Sequence, residues 1–593
     1  MRRILMFMGV ALLAFPLVAS GAVKVRTKVG GYKWDVPAGK RLAKGFKAPV
    51  KAGPFTLGFH TQIEMDFESN HQFDFSEEVA DGFVNNGVTN KAKTGVNDVR
   101  GLKDPKDDQK GDEFQTEFRF GMDAVAGAIT THVVMEQTGG PVRDRTTENN
   151  SFNVERAWGD VDLGWFNVRY GIELYSLEPT LMLYGDDDPM LSIYKNTPDF
   201  AWRVTYMKRV DADADAGRTS TAATTLVPGA VNTSAANEGT NNDTDVVMVI
   251  LEIPFANPLG PGTFTFQPFY VLDHDKRFKD TDTAAVGTTD TFDGTIISHY
   301  IGANIITNLG PVKATLSGVF NFGEDDTGFN AVDPATGAPR NEVDISAWQA
   351  FAEFAYPVPG IPLTVSVGTY LASGDDDPFD DNANGWLGVS HNSEMFNGRD
   401  IFIDKTEDGA QTSIRLQSPA GVVNAGEAVQ LSGDDDALVL GLSSFNNVAS
   451  VAAPTTHPTR GVTRTPGSNV SDLDPYSVNN RSHPGVAIAN VALKYKLLKN
   501  ATVTADYQHI RLLSPDGLSP LATGRTVDGI LTMGDGIDGE YGNQFGVKMK
   551  WSPAKYIAIE PGFVVLVPGD AIEDLTGEDD TAWTFRLGMR WNF

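Results

Sequence analysis

The chain has 593 residues, no cysteine, and 48 basic against 77 acidic side chains, a formal net charge of −29. Without cysteine there is no disulfide framework, no Cys-ligated metal and no CxxCH haem attachment. The acidic balance excludes general nucleic-acid binding. After the N-terminal apolar run, no stretch of about 18 apolar residues is available for a membrane-spanning helix.

Residues 1–22, MRRILMFMGVALLAFPLVASGA, carry two arginines, an apolar run and then Ser20-Gly21-Ala22. That order predicts a secretory signal peptide cut before Val23. The following segment, 23–54, is basic: Lys24, Arg26, Lys28, Lys33, Lys40, Arg41, Lys44, Lys47 and Lys51 against the single acid Asp35. Such segregation on an acidic chain suits a polyanion-binding leader, a segment tucked into the folded part, or a disordered leader.

From Phe55 onward the hydrophobic period is two. In 55–67, Phe55, Leu57, Phe59, Ile63, Met65 and Phe67 alternate with polar residues such as Gln62, Glu64 and Asp66. In 114–124, Phe114, Phe118, Phe120 and Met122 alternate with Gln115, Glu117, Arg119 and Asp123. Period two gives a strand with one apolar and one polar face. Further strands are predicted at 128–137, 153–163, 166–174, 189–195, 200–209, 244–253, 263–273, 295–307, 312–322, 344–356, 362–372, 485–497, 501–511, 541–551, 556–567 and 581–593. The count is eighteen; 189–195 has the weakest pattern, which leaves sixteen as the alternative.

Short and long connections alternate. Ala126-Gly127, Gly164-Trp165, 196–199, 254–262, 308–311, 357–361, 498–500 and 552–555 are short, whereas 68–113, 138–152, 175–188, 210–243, 274–294, 323–343, 373–484, 512–540 and 568–580 are long. Sorted loops predict an all-β fold: a transmembrane up-and-down antiparallel β-barrel over 55–593 with long extracellular loops and short periplasmic turns. The segment 23–54 then lies on the periplasmic side. In lipid every backbone polar group must pair within the sheet, so the last strand must bond to the first.

The signal, the alternating strands and the ending W-x-F-x-L-x-M-x-W-x-F (Trp583, Phe585, Leu587, Met589, Trp591, Phe593) resemble Gram-negative outer-membrane porins of the general or substrate-selective superfamily. The resemblance covers the architecture from about Phe55 to Phe593 and places the chain in no subfamily. It implies a location in the cell outer membrane, contact with lipid and lipopolysaccharide, and a homotrimer. It also implies a final strand read by the outer-membrane barrel assembly machinery, and passive diffusion of small hydrophilic solutes or ions through a water-filled channel. Trp165, Trp551 and Tyr556 fall where an aromatic girdle would run. Only 23–54 precede the first strand, too few residues for the globular plug of TonB-type receptors.

Eighteen strands leave a lumen too wide for side chains alone to fill. Inward positions include Arg119, Arg156, Arg169 and Arg203, a basic arc on nearby strands. By resemblance, the third long loop (175–188) folds inward and sets Asp186, Asp187 and Asp188 across from that arc as a pore constriction, whose transverse field would orient polar solutes. The acidic loops offer a calcium reading: Asp380, Asn382, Asn384 and Gly385 stand at EF-loop spacing, with His391 where the twelfth-position Glu belongs. The connection 373–484 exceeds ordinary loops and suits a lid or a further hairpin. No nucleophile elbow or HExxH occurs, so no enzyme is expected. The alternative to a channel is a structural or adhesive outer-membrane barrel, or a scaffold for a partner protein.

Overall fold

In a computed structural model, residues 50–71, 111–139, 153–179, 183–197, 199–210, 244–256, 263–275, 295–326, 343–374, 382–386, 388–389, 485–515, 538–571 and 581–592 are described, with two-residue pieces at 84–85, 88–89, 413–414, 429–430, 526–527 and 530–531. The signal peptide, 23–49, Asp380 and Phe593 lie outside the described residues.

Eighteen strands form one antiparallel sheet in sequential order: β1 (Phe55–His71), β2 (Gly111–Ala126), β3 (Ile129–Gly139), β4 (Asn153–Asp162), β5 (Asn167–Ser176), β6 (Gly185–Asn196), β7 (Ala201–Val210), β8 (Thr244–Ala256) and β9 (Thr263–Asp275). They continue as β10 (Ile296–Leu309), β11 (Val312–Asp325), β12 (Val343–Pro357), β13 (Leu363–Ala372), β14 (Val486–Leu498), β15 (Ala501–Leu512), β16 (Glu540–Ala554), β17 (Ile557–Pro568) and β18 (Ala582–Asn592). The ladder closes between β18 and β1, from Gln62 opposite Asn592 to His71 opposite Trp583. Closure leaves no free sheet edge, the condition a hydrocarbon solvent imposes. Each residue from Trp583 to Asn592 therefore has a cross-strand partner on β1.

Below Gln62 the lane beside β1 would be empty, because β18 ends there. The short strand Val50–Ala52 turns back at Gly53-Pro54 and pairs with the base of β1, Val50 with Leu57 and Ala52 with Phe55. Gly53 has a φ of 61°, which glycine tolerates. The last residues before Phe55 thus belong to the barrel seam rather than to a separate leader. At the short-turn end, Gly127, Gly310 and Gly360 also take positive φ, which tight reversals between paired strands require.

Alternation places apolar residues outward. Ile193, Val204, Ile301, Phe320, Val367, Val491, Phe545, Val547 and Phe563 are all exposed, though large and hydrophobic. At the short-turn ends stand exposed Trp165, Phe255, Phe354, Tyr356 and Tyr495. A band of this kind flanked by aromatic rings meets lipid tails and headgroups. No helix is long and apolar enough to cross a membrane, which says nothing of strands.

Two expectations change. The weak strand 189–195 is a full strand of 12 residues that begins at Gly185, so the count of eighteen stands and sixteen falls away. The third long loop shortens accordingly to 177–184. Sequence pattern missed this start because Gly185-Asp-Asp-Asp-Pro189 reads as a turn on local composition, whereas pairing with β5 decides it. The connection 373–484 is described only in part. A two-rung pair, Ser413–Ile414 with Val429–Gln430, stands outside the barrel sheet.

Candidate functional site

The lumen is layered. On the long-loop side it is apolar: Tyr175, Met190, Met207, Val246, Met248, Val271, Tyr300, Phe351, Tyr370, Ile488, Ile510 and Leu566 form one buried cluster with segments that enter from two loops. Nearer the short turns the wall is polar, with Asp160, Arg169, Arg203, Glu252, Gln267, Asn304 and Ser317 buried.

The third loop does enter the barrel. Leu177, Glu178, Leu183 and Tyr184 are wholly buried. The loop closes on itself, with Leu177 N donating to Tyr184 O at 3.3 Å. The Leu183 amide donates to the Glu178 carboxylate at 3.0 Å. Its far anchor is on β10, five strands around the wall, where Asn304 Nδ2 donates to Leu177 O at 2.8 Å. The start of the long loop joins it: Val389 N donates to Leu183 O at 2.7 Å. Trp386 stands edge-on to Tyr300 at 5.9 Å between centroids. Asn382 and Ala383 add a short parallel strand beside Asp344 and Ile345 of β12. The opening of 373–484 is therefore an inward-packed segment, which local composition could not have shown because its partners lie on β10, β12 and the third loop.

The predicted basic arc becomes a paired network. Glu173 sits between two arginines: Arg203 Nη2 donates to it at 2.7 Å, and Arg169 Nη1 donates to its other oxygen. Arg169 Nε also donates to Asp160 at 2.9 Å, and Tyr194 donates its hydroxyl to the same carboxylate. Arg203 donates to Ser192 and Thr205 and lies 4.2 Å over the Tyr175 ring. Arg169 lies 4.1 Å over Trp158. Two carboxylates and three rings surround these two guanidiniums, whose exposures are 4% and 2%, and offset the cost of burying their charge. Arg119 stands apart, with its Nε donating to Glu136 at 3.0 Å, and Arg156 lies one strand before Arg169, on β4. Sequence reading named the four arginines and missed the acids Asp160 and Glu136, which only the cross-strand register brings to them.

Asp186, Asp187 and Asp188 lie on β6, opposite Tyr175, Leu174 and Glu173, and not on the inward loop. The residues that the loop carries inward are Leu177, Glu178, Leu183 and Tyr184. Of the calcium set, Asn382 pairs in register with Asp344 and the Asn384 carbonyl accepts from Ser373 Oγ at 2.8 Å. Among the described residues, no group of three or more His, Cys, Asp or Glu is placed to hold a metal ion. The terminal motif from Trp583 to Trp591 lies on β18.

No family model matches the chain, and no curated protein matches it. Among solved structures it is similar to OccAB2 of Acinetobacter baumannii, at 9% identity and a TM-score of 0.42 over 90% of this chain and 97% of that one. It is also similar to OccK2 (OpdF) of Pseudomonas aeruginosa, at 11% and 0.40 over 90% and 97%. The outer membrane channel DcaP of A. baumannii aligns at 12% and 0.37 over 92% and 100%. With identity and scores this low, the chain's own strand ladder remains the ground for its fold.

Proposed function

We propose that the chain is an outer-membrane porin, a channel for passive diffusion of small hydrophilic solutes or ions. The observation that carries it is one closed barrel whose outer face is apolar and whose inner wall carries charged and polar groups on its short-turn half. A lumen of eighteen strands is wider than a wall of side chains needs, and charged groups at Lys494, Lys548 and Lys550 line it toward the short turns. The packed residues 177–179, 183–184, 382–386 and 388–389 form the constriction of this channel, with the Arg169–Glu173–Arg203 network beneath. Asp186–Asp188, at the mouth end of β6, add negative potential above it. Phe593 and the alternating residues of β18 serve recognition by the barrel assembly machinery. Lipopolysaccharide around the long-loop rim and trimerisation belong to the same reading.

Reconstitution into planar bilayers tests it. Discrete current steps are expected. Correctly folded protein that inserts but passes no current would favour the structural or adhesive barrel instead.

A further inference from the structure

Opposite the arginine network, three amide side chains stand shoulder to shoulder. Asn490 of β14 pairs in register with Gln508 of β15, and Gln508 pairs with Gln544 of β16. All three face inward: their exposures are 2%, 0% and 3%, and their neighbours Val491 and Phe545 are exposed on the outer face. Two strands further on, the same row runs through Gly368 of β13, which brings no side chain, to Glu353 of β12. At the other end it stops at Leu566 of β17.

These amides are poorly satisfied. Neither polar atom of the Gln508 side chain has a hydrogen-bond partner, nor do Gln544 Nε2 and Asn490 Oδ1. Asn490 Nδ2 donates to Tyr507 O at 3.3 Å. Buried polar groups are ordinarily paired, and each exception calls for an explanation. Three exceptions in direct cross-strand register point to something that binds them. The row offers donors and acceptors without formal charge. The layer on its long-loop side is apolar: Phe351, Tyr370, Ile488 and Ile510, also in mutual register. A ligand that fits has hydroxyls along its edges, C–H faces, and no net charge.

We infer that Asn490, Gln508 and Gln544 form a binding row for a neutral polyhydroxylated solute, a sugar or polyol, on the wall of the channel. An anion would find no cation in the row, and a cation would be drawn to Glu353 or past the row to Asp506. Full burial sets the terms of access: a solute reaches the row only when the packing over it opens. The inference rests on the channel reading for its route but not for its chemistry, and the two can be tested apart.

The probe is glucose, and the variant is Gln508→Leu with Gln544→Leu, near-isosteric and without hydrogen-bonding groups. In planar bilayers, glucose should reduce the ionic current of the natural protein. The half-blocking glucose concentration of the variant, each protein read against its own sugar-free current, should rise about tenfold, as expected for one or two lost hydrogen bonds. In detergent, glucose should raise the unfolding temperature of the natural protein and leave that of the variant unmoved. The milder pair Gln508→Asn with Gln544→Asn, which keeps the amides but shortens their reach, should fall between the two and serves if the leucine pair does not fold. A glucose-induced thermal shift without any ionic current sustains the row and defeats the channel. Current and thermal stability both indifferent to glucose, or equal glucose responses in natural protein and leucine variant, would overturn the row and leave its amides as wall packing.

Discussion

Two stretches of the lumen wall handle polar groups in opposite ways. In the network across β4–β7 two buried guanidiniums are each tied to several groups: Arg169 to Asp160, Glu173 and Tyr194, and Arg203 to Glu173, Ser192 and Thr205. In the Asn490–Gln508–Gln544 row across β14–β16 the polar groups are neutral amides, and several of their atoms have no partner. The difference follows from what burial costs each kind of group. An ion taken out of water without a counter-charge is penalised far more than an amide without a hydrogen bond. A wall can therefore leave buried amides unpaired, while buried guanidiniums must be matched within the protein. The arginine side is a brace, and the amide side is where a solute can compete.

The largest effect should come from unmatching the brace. Glu173→Ala leaves two buried guanidiniums short of a shared carboxylate and should destabilise the barrel by about 3–5 kcal/mol. Unfolding in urea followed by gel mobility of unheated samples would show it, and a midpoint equal to that of the natural protein would mean the network is not needed. Next comes a change of face. Val547→Arg puts a charge in the lipid-facing belt three residues from Gln544 and should cost roughly 2–4 kcal/mol near midplane. Lys548→Arg, on the inner face, should be tolerated, and equal tolerance of the two would mean the strand register is wrong.

Tyr194→Phe is a finer cut into the brace. It removes a hydroxyl that serves both Asp160 and Arg169, and a loss of about 1–3 kcal/mol is expected. No change in unfolding midpoint would show that the arginine and aspartate suffice without it. The smallest effect is electrostatic. Neutralising Asp186, Asp187 and Asp188 to Asn should shift the reversal potential toward anions, because focused fields in a narrow lumen steer ions. The shift should shrink as salt rises and the Debye length falls to about 3 Å at 1 M. A reversal potential that stays put at low salt would exclude these residues from the conduction path.

Much of the fold is legible in the residues themselves. Period-two alternation is a local property, so eighteen strands, their inner and outer faces, and the sorting of short turns from long loops could be counted from residues alone. Closure followed as well, because an apolar outer face in lipid requires a partner within the sheet for every backbone group. The tertiary structure decided what depends on distant neighbours. It put Asp186–Asp188 on a strand through pairing with β5, and it turned Leu177, Leu183, Trp386 and Val389 inward, with contacts to one another and to β10, while Asn382 and Ala383 joined β12. It gave Arg203 a carboxylate thirty residues away in sequence. It also set Asn490, Gln508 and Gln544 in one row, although long connections separate some of their strands. Local pattern says which face a side chain takes. Which other side chains share its height on the barrel is settled only by the register of the ladder, and pairing and binding depend on that height.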